Sequence, residues 1–195
     1  GPSQVKPDND NIVVSSRDAR AVYRSTNKAG SYAQVLNYWG SVADSRTGFM
    51  APIAWSKANT DVVYVASDNL HKSTDAGVTF NNNAYSTANN YIDAFRKPAI
   101  AIATAPSDAN VIVASTSPFA QFDNDGNDLH VNTPPNILKS VNGGTSFTSI
   151  KNNLPDRFVM DFAISPTNND SVWIVLGGFG TSHVYVTANG GVTWS

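Results

Sequence analysis

The amino-acid sequence predicts an all-β fold built from an internal repeat. Three observations favour it. Short β-branched and aromatic runs alternate with turn-forming residues, no segment keeps a 3.6-residue apolar period, and one eight-residue turn pattern occurs four times. Asn occurs 22 times and Glu is absent, so turn formers are abundant while the usual surface helix formers are scarce. The 195 residues suffice for one domain or for part of a larger one.

Four segments of the chain follow one pattern of strands and turns. The copies at 162–194, 100–147 and 53–80 each contain an apolar strand, two further short strands and a closing turn. The first copy runs from near residue 7 to residue 32; it is predicted to lack its opening strand, and its glycine stands one position later. Short strands joined by tight turns form antiparallel meanders, so each copy is expected to form one sheet with strands A to D.

The turn between strands C and D has the pattern Ser/Thr-x-Asp/Asn-x-Gly, closed three residues later by an aromatic side chain. The carboxylate or amide accepts N–H groups of the turn, the hydroxyl bonds locally, and glycine takes a positive φ without steric cost. The aromatic residue is expected to begin strand D and to pack between sheets. A structural role in these turns is predicted for Ser25, Asn27, Gly30, Tyr32, Ser73, Asp75, Gly77, Phe80, Ser140, Asn142, Gly144, Phe147, Thr187, Asn189, Gly191 and Trp194.

Such sheets have two apolar faces, and radial packing of similar sheets covers both. The sequence therefore predicts a β-propeller of about four four-stranded antiparallel blades, roughly 5–36, 50–82, 98–151 and 158–195, in one domain over 1–195. Its first copy lacks strand A, and its last copy stops where strand D begins. We therefore expect a partial or open propeller that is a fragment of a larger one, since an open end exposes strand edges.

These turns resemble those of the Asp-box (BNR-repeat) propellers. The stretch from 154–157 through 177–185 to Trp194 resembles the sortilin-like repeat of exported bacterial proteins. The resemblance implies a secreted, periplasmic or cell-surface protein of several domains. Members include sialidases, xyloglucan-degrading glycoside hydrolases, protein-sorting receptors and photosystem assembly factors, so the fold does not fix the function. Because members have more than four blades, the resemblance also implies either a piece of a longer chain or a protomer whose ring closes with another copy.

The long connections of the repeat all fall at one end of the sheets. The A–B and C–D turns share one end and are short, whereas the B–C and D–A connections, at roughly 37–50, 81–98 and 116–136, share the other. Binding residues concentrate on long loops. The residues predicted to bind a ligand there are Tyr38, Trp39, Tyr91, Asp93, Phe95 and Arg96; the alternative is that these side chains only anchor the loops.

An acidic cluster in the longest loop is a candidate Ca²⁺ site. Asp123, Asp125 and Asp128 place three carboxylates within six residues, and hard oxygen ligands suit Ca²⁺. The spacing differs from that of the helical calcium loop, and a solvated polar turn is the alternative. No other cofactor is predicted.

Composition narrows the function classes. A net charge of −2 without a basic stripe argues against nucleic acid as a partner, no apolar run is long enough to span a membrane, and the absence of Cys excludes a disulfide scaffold.

The regular repeats favour a non-catalytic scaffold or a module that binds protein or glycan through the B–C/D–A face. One alternative is part of a xyloglucanase- or sialidase-like glycoside hydrolase using Asp93, Asp161 or Asp44. Another is a subunit of an extracellular assembly, in which blade edges pair between copies.

Overall fold

A computed structural model describes residues 2–17, 21–37, 50–81, 91–117 and 134–195 of the chain. Every regular element in these ranges is a β-strand, and the strands form four antiparallel sheets of three or four strands. The prediction of an all-β propeller-type fold is confirmed. Among the described residues, no helix is long and apolar enough to cross a membrane.

Blade 1 contains β1 (Ser3–Lys6), β2 (Asn9–Arg17), β3 (Ala21–Ser25) and β4 (Ala33–Asn37), hydrogen-bonded in that order. The prediction that this copy lacks strand A was wrong, because β1 occupies that position and pairs with β2. The sequence of β1, Ser-Gln-Val-Lys, contains one apolar residue and so gives no apolar pattern. Backbone hydrogen bonds to β2 define the strand instead.

Blade 3 repeats this four-stranded meander, whereas the described parts of blades 2 and 4 form only its first three strands, so the four strands predicted for each blade are present in two of the four sheets. Blade 2 contains β5 (Ile53–Trp55), β6 (Val63–Ala66) and β7 (Leu70–Ser73), and blade 3 contains β8 (Ala99–Ala105), β9 (Asp108–Thr116), β10 (Ile137–Ser140) and β11 (Thr148–Ser149). Blade 4 contains β12 (Val159–Ile164), β13 (Val172–Leu176) and β14 (Val184–Thr187). The strand A of each blade contacts that of the next in the order β1, β5, β8, β12.

Three apolar layers join the four sheets, one between each consecutive pair. Strand B of the inner blades is buried on both faces, because alternate side chains enter different layers. In β6, Val63 and Val65 face blade 1, whereas Tyr64 faces blade 3. The layers contain Val14, Val22, Leu36, Ile53, Val65 and Phe80 between blades 1 and 2; Tyr64, Ala66, Leu70, Ile112, Ala114 and Leu138 between blades 2 and 3; and Val113, Ile137, Ile150, Phe162, Ile174 and Trp194 between blades 3 and 4.

The glycine at the fifth position of the C–D turn touches the preceding blade. A Cβ at Gly144 would lie 2.2 Å from a methyl of Leu70 in blade 2, and one at Gly191 would lie 2.5 Å from Cβ of Ile150. Gly77 has the same relation to Val14 of blade 1, at 2.8 Å. Each turn therefore fits closely against the blade before it.

The first C–D turn departs from the sequence expectation in two ways. Its left-handed residues are Lys28 and Ala29, with φ of 56° and 65°, so Gly30 does not have the conformational role predicted for it. The closing aromatic residue, Tyr32, is 43% exposed instead of packed between sheets. The first difference follows from spacing, because the fourth and fifth residues of all four turns are left-handed and Gly30 is the sixth. The second arises because no sheet of the described chain covers this side of blade 1.

Candidate functional site

The connection from blade 2 to blade 3, residues 91–98, folds over the B–C turn of blade 2. The N–H of Ile92 donates to the Asp68 carbonyl at 2.9 Å, and the N–H of Ala99 donates to the Ser67 carbonyl at 2.8 Å. Tyr91 forms an isolated antiparallel bridge with Asn69. These backbone contacts hold the connection in a fixed position on the blade.

An ion pair between Asp68 and Arg96 lies at the base of this connection. Nη2 and Nε of Arg96 donate to Oδ2 of Asp68 at 2.7 and 3.1 Å, and Asp68 is fully buried. The guanidinium carbon also lies 4.2 Å from the centre of the Tyr91 ring, within cation–π range. Arg96 has φ of 56°, a strained conformation that these contacts maintain. The positive charge of Arg96 is therefore paired with Asp68 inside the fold.

A second charged pair, Asp93 and Lys97, is also buried. Nζ of Lys97 lies 3.4 Å from Oδ2 of Asp93 and donates to the carbonyl of Pro134. Burial lowers the pKa of Lys97, and the Asp93 carboxylate opposes this by favouring the ammonium form. The carbonyl of Asp93 accepts the N–H of Arg96 at 2.8 Å. Asp93 thus has several contacts that fix the connection.

An open groove of about 600 Å³ lies between this connection and the C–D turn of blade 3. Three aromatic residues line it, Tyr91, Phe95 and Phe147, and the Phe95 side chain is 55% exposed. Hydrogen-bonding groups on the same walls come from Asn136, Thr145, Ser146 and Ser149. Aromatic surface beside amides and hydroxyls suits a ligand that presents both apolar and hydrogen-bonding surface.

The predicted binding residues separate into three groups. Tyr91, Asp93 and Phe95 line the groove, whereas Arg96 turns to Asp68 beneath it. The remaining two, Tyr38 and Trp39, lie outside the described residues, as do the candidate Ca²⁺ ligands Asp123, Asp125 and Asp128 and the candidate acid Asp44. Among the described residues, no three His, Asp or Glu side chains cluster as metal ligands.

Sequence reasoning missed two features of the site. It did not single out Asp68, a fully buried carboxylate that stands two residues after the end of the buried strand β6. It also placed the C–D turns at the opposite end from the binding face, yet Phe147 and Thr145 of one such turn line the groove. The groove extends along the outer side of blade 3, so it reaches residues from both ends.

All four C–D turns contain the same internal hydrogen bonds. The Ser or Thr hydroxyl donates to the Asp or Asn Oδ1 at 2.7–2.9 Å and accepts the N–H of the fifth residue at 2.9–3.0 Å. The same Oδ1 accepts the N–H of the seventh residue at 2.8–3.0 Å. These side chains therefore satisfy backbone groups of the turn.

Solved structures of glycoside hydrolases share this fold. The chain is similar to an ancestral GH74 enzyme (23% identity, TM-score 0.66), covering 99% of this chain and 23% of that one. It is also similar to the GH74 xyloglucanase from Xanthomonas campestris (12% identity, TM-score 0.65), covering 99% of this chain and 29% of that one. No protein-family model and no curated protein sequence matches the chain. The similarity shows a propeller-type fold, and the chain spans about a quarter of these enzymes' lengths.

Proposed function

We propose that this chain is a glycan-binding β-propeller module of an exported protein and that its ligand lies in the groove beside residues 91–98. The observation that carries the proposal is the composition of the groove. Tyr91, Phe95 and Phe147 offer aromatic faces, and the exposed polar groups beside them are the Asn136 amide and the hydroxyls of Thr145, Ser146 and Ser149, while the Asp93 carboxylate in the same lining is buried beside Lys97. A sugar ring presents C–H groups on its faces and hydroxyls at its edge, so both kinds of wall would have a partner.

The charged groups near the groove support an uncharged ligand. Arg96 is paired with Asp68, and Lys97 is buried next to Asp93, so neither cation is directed at a ligand carboxylate or phosphate. A polypeptide remains the alternative ligand. One of the similar structures is a xyloglucanase, which makes xyloglucan the first glycan to test.

The test measures binding of xyloglucan oligosaccharides, unbranched cello-oligosaccharides and a mixed-linkage glucan by isothermal titration calorimetry. We expect Phe95→Ala to weaken binding about tenfold, equal to about 1.4 kcal/mol, because an exposed aromatic contact is lost. The matched control is Phe179→Ala, since Phe179 is 92% exposed on blade 4 and does not line the groove. Equal affinity of Phe95→Ala and wild-type protein, or no heat with any glycan, would contradict the proposal.

A second candidate function is part of a glycoside hydrolase site, favoured by the fold similarity to two GH74 enzymes. The acid to examine first is Asp161 on β12, which is exposed, whereas Asp93 is buried beside Lys97. Turnover of xyloglucan that is lost in Asp161→Asn but retained in Phe95→Ala would support catalysis separate from the groove. Absence of turnover by the wild-type chain would leave the binding proposal as the better account.

A further inference from the structure

The Asn136 amide on the groove wall has a fixed orientation. Its Oδ1 accepts the N–H of Ile137 at 3.0 Å and the Ser149 hydroxyl at 2.6 Å. Because a backbone N–H can only donate, the oxygen of the amide must be the atom on that side. Nδ2 has no hydrogen-bond partner among the described residues, and Asn136 lines the groove with part of its surface exposed. Its two N–H groups are therefore available to a ligand.

Ser149 complements this donor with an acceptor. Its hydroxyl proton is used in the bond to Asn136, so the lone pairs of its oxygen are what the side chain offers to the groove. Ser149 is exposed and lines the groove beside Asn136. The two residues thus form one donor–acceptor pair.

The C–D turn of blade 3 provides a second pair, Ser146 and Thr145. Oδ1 of Asn142 accepts the N–H of Ser146 at 3.0 Å, so Nδ2 of Asn142 is the atom that donates to the Ser146 hydroxyl at 2.8 Å. An amide N–H does not accept, and the Ser146 proton is therefore left for a ligand. The Thr145 hydroxyl donates to the Asn142 carbonyl at 3.1 Å, which leaves its oxygen as an acceptor.

The third residue of the turn decides where the hydroxyl proton of the seventh residue goes. Blade 2 has Asp75 at the third position, and there the Thr79 hydroxyl donates inward to Oδ2 of Asp75 at 2.6 Å. Blade 4 has Asn189, which donates to the Thr193 hydroxyl at 2.9 Å as Asn142 does in blade 3, but its turn does not line the groove. Asn142 is thus a positioning residue for the groove.

We propose that the groove recognises hydroxyl groups through two donor–acceptor pairs, Asn136 with Ser149 and Ser146 with Thr145, an inference that rests on the proposed glycan-binding function. A sugar hydroxyl accepts with its oxygen and donates its one proton, so it satisfies both members of a pair. A methyl ether only accepts and an ammonium only donates, so each leaves one member without a partner. The pairs therefore select neutral glycans with free hydroxyls over O-methylated and amino-substituted ones.

The aromatic residues of the groove have a different part in binding. Tyr91, Phe95 and Phe147 offer apolar surface to the faces of a sugar ring, whatever substituents the ring carries. Loss of Phe95 should therefore weaken binding of all the glycans to a similar extent. A change in a donor–acceptor pair should instead alter which glycan is preferred.

The first test variant is Asn136→Asp, which keeps an oxygen for Ile137 and Ser149 but replaces the donor with an acceptor. In calorimetric titrations we expect its affinity for xyloglucan oligosaccharides to fall about tenfold. Its affinity for a glucosamine oligosaccharide, whose ammonium groups only donate, should rise above that of wild-type protein. The control is Asn189→Asp, which adds the same charge in a turn that does not line the groove and should change neither affinity.

The second test variant, Asn142→Asp, acts through Ser146. Asp75 shows that this turn accommodates aspartate, and the carboxylate should draw the Ser146 proton inward. We expect affinity for xyloglucan oligosaccharides to fall about fivefold. The same substitution made in a Ser146→Ala protein should have no further effect on affinity, because the donor is already gone. Urea denaturation compares its stability with that of Asn189→Asp, the same change in the equivalent turn.

Three outcomes would contradict the proposal in distinguishable ways. Equal xyloglucan affinity of wild-type protein, Asn136→Asp and Asn142→Asp would overturn the roles of the two pairs but leave glycan binding intact. An equal loss of affinity in Asn189→Asp would overturn them as well, because charge and not hydrogen bonding would then be the cause. If wild-type protein binds none of the glycans, the proposed function fails and this inference fails with it.

Discussion

Glycine at the fifth position of a C–D turn meets two requirements at the same residue. It takes a positive φ, between 78° and 90° in blades 2, 3 and 4, and it leaves space for a side chain of the preceding blade. Ala29 meets only the first requirement, in a turn whose blade has no neighbour on that side within the described chain. The two requirements can be separated by experiment.

Two glycines of blade 4 provide the comparison. Gly191 and Gly180 have φ of 90° and 82°, but a Cβ at Gly191 would collide with Ile150, whereas one at Gly180 would meet no atom within 4 Å. We expect Gly180→Ala to reduce the free energy of unfolding by about 1 kcal/mol through backbone strain alone. Gly191→Ala should cost about 2 kcal/mol more because of overpacking. Urea denaturation measures both; equal costs would show that the close fit between blades is not real.

His71 gives a prediction about pH. It is fully buried on β7, and desolvation lowers its pKa from 6.5 to about 3. Between these two values the unfolded chain binds a proton that the folded chain does not, so the free energy of unfolding falls as pH drops from 6.5 toward 3. The loss is at most about 2 kcal/mol between pH 6.5 and 5.

The matched variant for this effect is His71→Leu, because Leu138 occupies the corresponding position of blade 3. Its free energy of unfolding should change less between pH 7 and pH 5 than that of wild-type protein. Chemical denaturation at the two pH values measures the difference. An identical pH dependence in both proteins would mean that His71 is accessible to protons in the folded state.

At the scale of elements, the strands were predictable and the site was only partly so. The apolar runs that form β6, β9 and β13 are strong local signals, and the C–D turns follow from the chemistry of Asx residues and glycine. Strand β1 escaped prediction because backbone pairing, not its side chains, defines it. The pairing of Asp68 with Arg96 joins residues 28 positions apart, which no local pattern reveals.

The connection at 91–98 depends on that ion pair. Replacing Arg96 with Met removes the guanidinium from a fully buried carboxylate, and we expect a loss of about 3 kcal/mol in the free energy of unfolding. Because Tyr91 and Phe95 belong to the same connection, glycan affinity should fall as well. Asp68→Asn combined with Arg96→Met should recover part of the stability, since no buried charge remains. If Arg96→Met is as stable as wild-type protein, the pair does not hold the connection.

At the scale of the whole molecule, the four blades form a directional array. Three apolar layers join them, one face of blade 1 carries the hydroxyls of Ser3 and Ser15, and one face of blade 4 exposes Trp173, Val175 and Val184. The order of blades was visible in the sequence because the repeats are consecutive. The difference between the two outer faces was not, since it depends on which side of each strand meets a neighbour.

Amide hydrogen exchange followed by mass spectrometry tests this arrangement most directly. We expect the slowest exchange in β6 and β9, whose sheets are covered on both faces, and faster exchange in β14, whose Val184 is 60% exposed. Exchange in β14 as slow as in β6 or β9 would contradict this packing, because both faces of blade 4 would then be covered in solution.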